Sequence, residues 1–315
     1  MLQQWAIKTE NLRKDYPGMT AVHDLNFGVE VGRVHGFLGP NGAGKSTTLR
    51  MVCGLLRPTA GRALVLGIDP VDQPDEAKAK VGLLPEHTPL YRDMSVEDFL
   101  LFSARLRHVP ATQIEVARSR VIEQAGLGDV RKRLIGNLSK GFRQRVGIAQ
   151  ALIHSPPVII LDEPTAGLDP QSVVEIRALI RSLKGERTIV FSSHILTEVE
   201  EVCDTISIIH HGQLKASGSL SEIKQGLLGK GTVKLETDKP LTAAQLDKLR
   251  SLGGVESLTH EGLLVRLVPQ GKNDIRPGIV RLLTQEGVGV LTIELSTPPL
   301  EEVFMAVTRA SEVRV

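Results

Sequence analysis

One segment of this chain has the residue types and spacing that bind a polyphosphate. It consists of Gly39, Pro40, Asn41, Gly42, Ala43, Gly44, Lys45, Ser46 and Thr47. This run fits the pattern G-x-x-x-x-G-K-[ST], in which glycines allow successive backbone N–H groups to converge on phosphate oxygens. Lys45 supplies a positive charge for the β- and γ-phosphates, and the Ser46 hydroxyl suits Mg²⁺. The segment therefore predicts a site for the phosphates of a nucleotide.

A pair of acids follows an apolar run much further along the chain. The run 158–161 is Val-Ile-Ile-Leu, and Asp162 and Glu163 come directly after it. A continuous apolar run predicts a strand of a sheet that is covered on both faces. At the carboxyl end of such a strand Asp162 is placed to reach Mg²⁺. Glu163 is predicted to orient the attacking water or to take its proton.

A third segment carries the resemblance to a known family. Leu138-Ser139-Lys140-Gly141-Phe142 opens a predicted helix and resembles the L-S-G-G-Q signature of the ATP-binding cassette (ABC) family. Ser139 and Gly141 match, Lys140 replaces a glycine and Phe142 replaces the glutamine. A serine and free N–H groups at the start of a helix form an anion site. The resemblance implies that this site caps the γ-phosphate of ATP that is bound by a second subunit.

Four further positions match motifs of the same family, in family order. The segment 166–170 looks like the D-loop, in which Asp169 would couple two nucleotide sites; Asp169 is equally predicted to cap the next helix. His194 resembles the switch histidine, whose hydrogen bond to the γ-phosphate would sense ATP. Tyr16 matches the aromatic residue that stacks on adenine, with packing in a turn as the alternative. Glu86 occupies the place of the Q-loop glutamine and keeps an oxygen for Mg²⁺ or water.

Alternating strands and helices must position these residues. Through the first 220 residues or so the alternation predicts an α/β domain with a largely parallel sheet. The phosphate-binding segment lies between a predicted strand at 34–38 and a helix at 46–55, whose positive N-terminal dipole would face the phosphates. Other predicted strands are 5–12 and 21–31, on either side of a turn at 16–18. Three predicted helices, at 95–107, 113–125 and 142–154, form an insertion.

The predicted fold class is α/β. It is a P-loop NTPase cassette with a mainly parallel core sheet, an antiparallel β subdomain and a helical insertion, followed by a small α+β ferredoxin-like domain. The predicted boundaries are 1–225 for the cassette, with the insertion at about 85–155, 226–231 for a linker and 232–315 for the C-terminal domain. That domain has the strand and helix order β-α-β-β-α-β of a split ferredoxin-like fold. It is either a regulatory ligand-binding module or a brace for a dimer.

Composition excludes several classes of protein. Of the 315 residues, 41% are hydrophobic and 23% charged, which is typical of a globular protein. A net charge of +2 and 3% aromatic residues argue against a nucleic-acid surface. No apolar run approaches the roughly 18 residues of a membrane span. Cys53 and Cys203 lack metal-ligand spacing, and we expect reduced thiols.

The resemblance implies an ATP-hydrolysing subunit of an ABC transporter. ATP and Mg²⁺ would be its cofactors, with Lys45, Glu163 and His194 as catalytic residues and Ser46, Asp162 and Glu86 as metal-binding residues. A second ATPase subunit, in a homodimer, and an integral membrane permease would be its partners, at the cytoplasmic face of the membrane. The ending at 298–304 resembles cassettes that serve bacterial export permeases. A soluble ABC ATPase that acts on ribosomes or DNA is the alternative, and a P-loop kinase is a second one.

Overall fold

The computed structural model of the chain describes residues 4–223, 231–270, 274–296, 300–301 and 304–305. The chain divides into two compact units, Met1–Leu220 and Ser221–Val315. The linker predicted at 226–231, and the tail segment 298–304 with its predicted helix, fall largely outside the described residues.

The elements of the first unit alternate between strand and helix along much of the chain. Its described strands are β1 (Trp5–Tyr16), β2 (Met19–Leu25), β3 (Gly28–Glu30), β4 (Val34–Leu38), β5 (Ala60–Val65), β6 (Val81–Leu84), β7 (Val158–Asp162), β8 (Thr188–Ser193), β9 (Thr205–His210) and β10 (Gln213–Ser219). Its described helices are α1 (Lys45–Val52), α2 (Pro74–Lys80), α3 (Val96–Leu106), α4 (Ile114–Gln124), α5 (Lys140–Leu152), α6 (Pro170–Ser182) and α7 (Leu196–Val202). Short 3-10 helices cover Ala111–Gln113, Gly128–Val130 and Ile135–Asn137.

A six-stranded sheet in the order β10-β9-β4-β8-β7-β6 forms the centre of this unit. The neighbours from β9 to β6 are parallel, and β10 is antiparallel at one edge. Every residue of β4, β7 and β8 is buried, because parallel strands are covered by helices on both faces. The prediction of a mainly parallel core sheet is confirmed. Since the carboxyl ends of these strands meet at one edge, the residues that follow β4, β7 and β8 come together there.

A second, antiparallel sheet is built around β1, which pairs with β2, β3 and β5. The single strand predicted at 21–31 is two strands, because β1 changes partner along its length. The break is held by a pair of side-chain amides. Asn26 Oδ1 accepts from the backbone N–H of Asn11 at 2.8 Å, and Asn26 Nδ2 donates to Asn11 Oδ1 at 3.0 Å. Asn11 has φ of +47°, a conformation that asparagine tolerates better than most residues.

Helices α3, α4 and α5 pack against one another between β6 and β7, as the predicted insertion requires. Ser95 caps α3 by accepting a hydrogen bond from the backbone N–H of Asp98. Helix α2 was not among the predicted elements. Its signals are a proline at the first helical turn, acids at its start and lysines at its end, which favour a helix through the fixed φ of proline and through the dipole.

The second unit contains one antiparallel sheet. Its described strands are β11 (Thr232–Thr237), β12 (Val255–Glu261), β13 (Leu264–Pro269) and β14 (Val290–Ser296), and its described helices are α8 (Ala243–Arg250) and α9 (Arg276–Gln285). The order β12-β13-β11-β14 is that of a split β-α-β pair and confirms the ferredoxin-like prediction. Alternate residues of β11 are buried in a core shared with Leu249 and Ile279, so one face of the sheet packs against the helices.

Candidate functional site

The phosphate-binding segment joins β4 to α1, and two of its glycines have a steric reason to be there. A Cβ atom on Gly39 would lie 2.4 Å from the carbonyl oxygen of Ile209. A Cβ atom on Gly44 would lie 2.6 Å from the carbonyl oxygen of Ala21, and Gly44 has φ of +99°, in the left-handed region that favours glycine. Larger residues at these positions would therefore displace the backbone that carries the convergent N–H groups.

A cavity of about 540 Å³ brings distant parts of the sequence together. The phosphate-binding segment contributes Pro40, Asn41, Gly42, Ala43, Gly44, Lys45, Ser46 and Thr47 to its wall. Other segments of the chain contribute Tyr16, Glu86, Glu163 and His194. Tyr16 is 41% exposed, so its ring is accessible to a base. The cavity thus joins most of the predicted nucleotide-binding residues.

Lys45 is a buried cation at the base of this cavity, with 5% of its surface exposed. Its ammonium donates to the carbonyl oxygens of Gly39 at 2.7 Å and Pro40 at 3.3 Å, and it lies 3.1 Å from Glu163 Oε1. The contact with Glu163 is an ion pair without hydrogen-bond geometry, because this buried oxygen accepts no hydrogen bond from the described residues. A buried acceptor in this condition is suited to a donor such as water.

The other carboxylate oxygen of Glu163 is in contact with His194. His194 Nδ1 lies 2.9 Å from Glu163 Oε2, and the two side chains are 45% and 9% exposed. Glu163 has φ of +49°, which is uncommon for a residue with a Cβ atom. Its backbone N–H donates to Ser192 Oγ at 2.9 Å, which holds this conformation. His194 and the acid after β7 are therefore in direct contact.

Ser46 and Asp162 form the predicted magnesium pair. Ser46 Oγ donates to Asp162 Oδ1 at 3.1 Å. Two neighbouring ligands of a Mg²⁺ octahedron lie roughly 3 Å apart, so these oxygens fit adjacent coordination positions. Ser192 Oγ donates to the same Asp162 oxygen at 2.6 Å and fixes the carboxylate. The described residues contain no cluster of three or more His, Cys, Asp or Glu suited to a metal, and phosphate oxygens and water would complete the shell.

Glu86 was predicted to be a metal-binding residue, and its position shows only that it lines the cavity. It is exposed and follows β6, and it lines the same cavity as Ser46. Among the described residues, no hydrogen bond or ion pair joins Glu86 to Ser46 or Asp162. Its role therefore stays a prediction.

The signature and D-loop residues lie together at the starts of α5 and α6. Ser139 caps α5 by accepting from the backbone N–H of Phe142 at 3.3 Å, and Asp169 caps α6 by accepting from that of Ser172 at 3.0 Å. A Cβ atom on Gly141 would lie 2.2 Å from Ser172 Oγ. The hydroxyl and the backbone N–H of Ser172 lower the pKa of the Asp169 carboxyl. Ser139, Gly141 and Asp169 are not among the residues that line the cavity of their own chain.

The two departures from the family signature have structural partners. The Lys140 ammonium donates to the carbonyl oxygens of Ala166 at 2.7 Å and Gly167 at 3.3 Å, so it joins the signature to the D-loop. The Phe142 ring stacks on the guanidinium of Arg145, with 4.2 Å between them. A lysine at the first position of a helix is unfavourable for the helix dipole, and the two carbonyls offset that effect.

Sequence reasoning assigned no role to a group of buried polar residues behind the cavity, namely Ser192, Ser193, Thr165 and Glu198. Their positions beside the motifs were the one sequence feature that pointed to a supporting role for them. Ser192 and Ser193 precede the switch histidine, and Thr165 follows Glu163 by two residues. Small hydroxyl side chains at the ends of buried strands are expected to satisfy neighbouring polar groups, but the partner of each is decided by the sheet order.

Comparison with protein families gives one match to each part of the chain. The family described as ABC transporter matches residues 22–166. The family described as ATP-binding protein DrrA1-3-like, C-terminal domain, matches residues 218–308.

Curated relatives align with nearly the whole chain. A bacitracin transport ATP-binding protein, BcrA of Bacillus licheniformis, is 37% identical over 95% of this chain and 96% of that protein. A daunorubicin/doxorubicin resistance ATP-binding protein, DrrA of Streptomyces peucetius, is 33% identical over 96% of this chain and 92% of that protein.

Solved structures match about 71% of the chain. One, titled as the structure of the ATP-binding subunit of an ABC transporter, has a TM-score of 0.65 at 29% identity and covers 71% of this chain and 94% of its own. The CbiO1 protein of Clostridium perfringens, part of an ABC transporter complex, has a TM-score of 0.64 at 28% identity over the same shares.

Proposed function

Since this chain belongs to the ATP-binding cassette (ABC) family, as an ATP-binding ATPase subunit of a transporter, we propose that two copies close over two Mg·ATP and power export through a separate permease. One observation carries the proposal for the chemistry. Lys45 and His194 contact opposite oxygens of the buried Glu163 carboxylate, at a cavity wall that also holds the phosphate-binding segment.

Residues in and beside the cavity have different roles in the proposed hydrolysis of ATP. The backbone of the phosphate-binding segment and Lys45 bind the β- and γ-phosphates of ATP. Ser46 and Asp162 hold Mg²⁺, which screens charge on the phosphate oxygens when it is bound. Glu163 orients the attacking water and takes its proton, and His194 donates a hydrogen bond toward the γ-phosphate. Tyr16 stacks on adenine.

The positions of the signature and the D-loop support a shared site. Ser139 and Gly141 lie at the N-terminus of α5, where free backbone N–H groups and the helix dipole attract an anion. They do not line the cavity of their own chain. We propose that each copy offers this helix start to the γ-phosphate held by the other copy, and that Asp169 couples the two sites.

The permease is a separate chain in this proposal. Among the described residues, no helix has both the length and the hydrophobicity that crossing a bilayer requires. The names of the relatives include bacitracin transport and daunorubicin/doxorubicin resistance, which supports export as the direction. We propose that the insertion with α3 and α4, together with the Glu86 loop, docks the permease at the cytoplasmic face of the membrane.

The test of the chemistry is Glu163→Gln in the full chain. We expect ATP binding to persist in calorimetry, because the phosphate-binding residues remain, and the steady-state release of phosphate to fall by roughly 100-fold or more, because the general base is lost. Glu201→Gln is the control, since Glu201 is exposed on α7 and pairs with Arg177 and Arg181. Near-normal hydrolysis by Glu163→Gln would overturn the assignment.

The test of the shared site is the molar mass of Glu163→Gln in light scattering. Saturating Mg·ATP is expected to double the mass and ADP is not, because closure depends on the γ-phosphate. Adding Ser139→Ala should lower the fraction of dimer, whereas Ser182→Ala, on the exposed part of α6, should not. A protein that stays monomeric with Mg·ATP, both alone and with its membrane partner, contradicts the shared site.

A further inference from the structure

Glu198 is a buried acid that the proposed chemistry does not use. It lies on α7 with 4% of its surface exposed. One oxygen, Oε2, accepts a hydrogen bond from Thr165 Oγ1 at 2.6 Å and another from Ser193 Oγ at 3.1 Å. Within the described parts of the chain, no ion pair joins it to a Lys or Arg. A carboxylate in such a place loses its hydration, so it is a poor choice for packing alone.

The two hydroxyls belong to segments that carry the reaction. Thr165 is two residues after Glu163, on the segment that follows β7. Ser193 is the residue before His194, at the end of β8, and its Oγ also accepts from the backbone N–H of Ile195 at 2.9 Å. The single oxygen of Glu198 therefore joins the segment of the general base to the segment of the switch histidine.

The Ser192 hydroxyl makes a second connection between the segment after β7 and the end of β8. Ser192 Oγ accepts from the backbone N–H of Glu163 and donates to Asp162. The segments that carry Glu163 and His194 are thus joined twice besides the contact between those two side chains. One connection runs through the Ser192 hydroxyl and the other through the Glu198 carboxylate. Glu163 and His194 directly follow β7 and β8, where chain segments have fewer backbone partners than within the sheet.

We propose that Glu198 is a positioning residue for ATP hydrolysis, which holds Glu163 and His194 at their working separation through Thr165 and Ser193. The inference rests on the proposed roles of Glu163 and His194. A displacement of about 1 Å in a catalytic group lowers the rate by up to roughly 100-fold. Loss of the Glu198 carboxylate is therefore expected to lower kcat and to leave the binding of ATP unchanged.

Steady-state kinetics of the purified full chain test this proposal, with kcat expressed per nucleotide-binding site counted by calorimetry. Glu198→Ala is expected to lower kcat by about tenfold or more at an unchanged KM for ATP. Glu198→Gln keeps one acceptor oxygen and should lie between the wild type and Glu198→Ala. The matched control is Glu201→Gln, an exposed acid on the same helix, which is expected to keep the wild-type kcat.

A second pair of variants covers the case in which Glu198→Ala does not fold. Thr165→Val has nearly the same shape as the wild type but donates no hydrogen bond, and it should lower kcat in the same way. Thr165→Ser keeps the hydroxyl and should restore kcat. A role in stability alone would lower the melting temperature and the count of binding sites but leave kcat per site unchanged.

The outcomes separate this inference from the proposed function. Normal kcat per site in both Glu198→Ala and Thr165→Val overturns the inference, and so does an equal loss in Glu201→Gln. If Glu163→Gln stops hydrolysis while Glu198→Ala and Thr165→Val both hydrolyse normally, only the role of Glu198 is wrong. If Glu163→Gln hydrolyses normally, the proposed chemistry is wrong as well.

Discussion

Ser192 shows how one small side chain holds several functional residues at once. Its hydroxyl donates to Asp162 Oδ1 at 2.6 Å and accepts from the backbone N–H of Glu163 at 2.9 Å. It is fully buried, so no solvent replaces either bond when the hydroxyl is removed. The residue proposed to bind Mg²⁺ and the residue proposed to activate water are therefore positioned by the same atom.

We predict that Ser192→Ala raises the Mg²⁺ concentration needed for half-maximal hydrolysis. The expected change is about tenfold, the size that loss of a hydrogen bond to a metal ligand commonly has. The measurement is phosphate release against Mg²⁺ concentration at saturating ATP. Ser182→Ala is the control, since Ser182 is exposed and its hydroxyl donates to the carbonyl oxygen of Leu179 on its own helix. An unchanged Mg²⁺ requirement would show that Asp162 needs no support from Ser192.

At the scale of elements, the starts of α5 and α6 are joined by two contacts. Lys140 on α5 donates to the carbonyls of Ala166 and Gly167 before α6, and Gly141 lies against Ser172 on α6 without room for a Cβ atom. The family glycine at position 140 has no side chain that could make the first contact. Lys140 therefore gives this chain a hydrogen-bonded contact between the signature and the D-loop of the same copy.

We predict that Lys140→Met loosens the D-loop. Methionine keeps a long apolar side chain but has no ammonium, so the carbonyls of Ala166 and Gly167 lose their donor. The amide hydrogens of residues 166–169 should exchange several times faster in the variant, as measured by mass spectrometry on the protein without nucleotide. Lys132→Met, at another exposed lysine, is the control. Equal exchange rates in Lys140→Met and the wild type would mean that the contacts of the Lys140 ammonium have no effect on the D-loop.

At the scale of the whole molecule, the central sheet buries histidines that cannot take up a proton easily. His35 on β4 is 1% exposed, and its two ring nitrogens lie 2.8 Å from Thr205 Oγ1 and 3.0 Å from Ser207 Oγ. Burial lowers the pKa of His35 to about 3. Burial likewise lowers the pKa of His154, after α5, to about 4. Each ring is therefore neutral in the folded cassette at pH values where it would be charged in the unfolded chain.

The sign of the pH dependence follows from these values. Between pH 6.5 and about 3 the unfolded chain binds more protons at His35 than the folded chain, so the free energy of unfolding falls as the pH falls. At pH 5.5 the loss from His35 relative to neutral pH is about 1 kcal/mol. We predict that His35→Gln reduces this loss, as measured by urea unfolding at pH 7.5 and 5.5.

The control for that measurement is His260→Gln, at an exposed position of β12. It should show the same difference between the two pH values as the wild type. A His35→Gln protein with the full wild-type difference would mean that other groups govern the acid sensitivity of the cassette.

The sequence by itself determined the architecture and predicted the chemistry within it. The pattern from Gly39 to Thr47, the acids after the apolar run 158–161 and the order of the motifs predicted the nucleotide site, because each depends on residue types at short, fixed spacing. The alternation of strands and helices along the chain predicted the parallel core and the ferredoxin-like unit, because the order of elements is also a local property of the sequence. Short-range effects were harder to predict. The broken strand at Asn26 depends on an amide pair, and the short helix α2 depends on a proline in its first turn and on charges at its two ends.

Only the tertiary structure decided which distant residues meet. The contacts of Glu163 with Lys45 and His194, of Ser192 with Asp162, and of Glu198 with Thr165 join residues that are far apart in the chain. These residues lie at or after the ends of β4, β7 and β8, except Glu198, which lies on α7. A hydroxyl or a carboxylate looks the same in a sequence whether it faces water or a buried partner. The strand order β4-β8-β7 chooses the partner, since it places these ends side by side in an interior where each polar group must find a hydrogen bond.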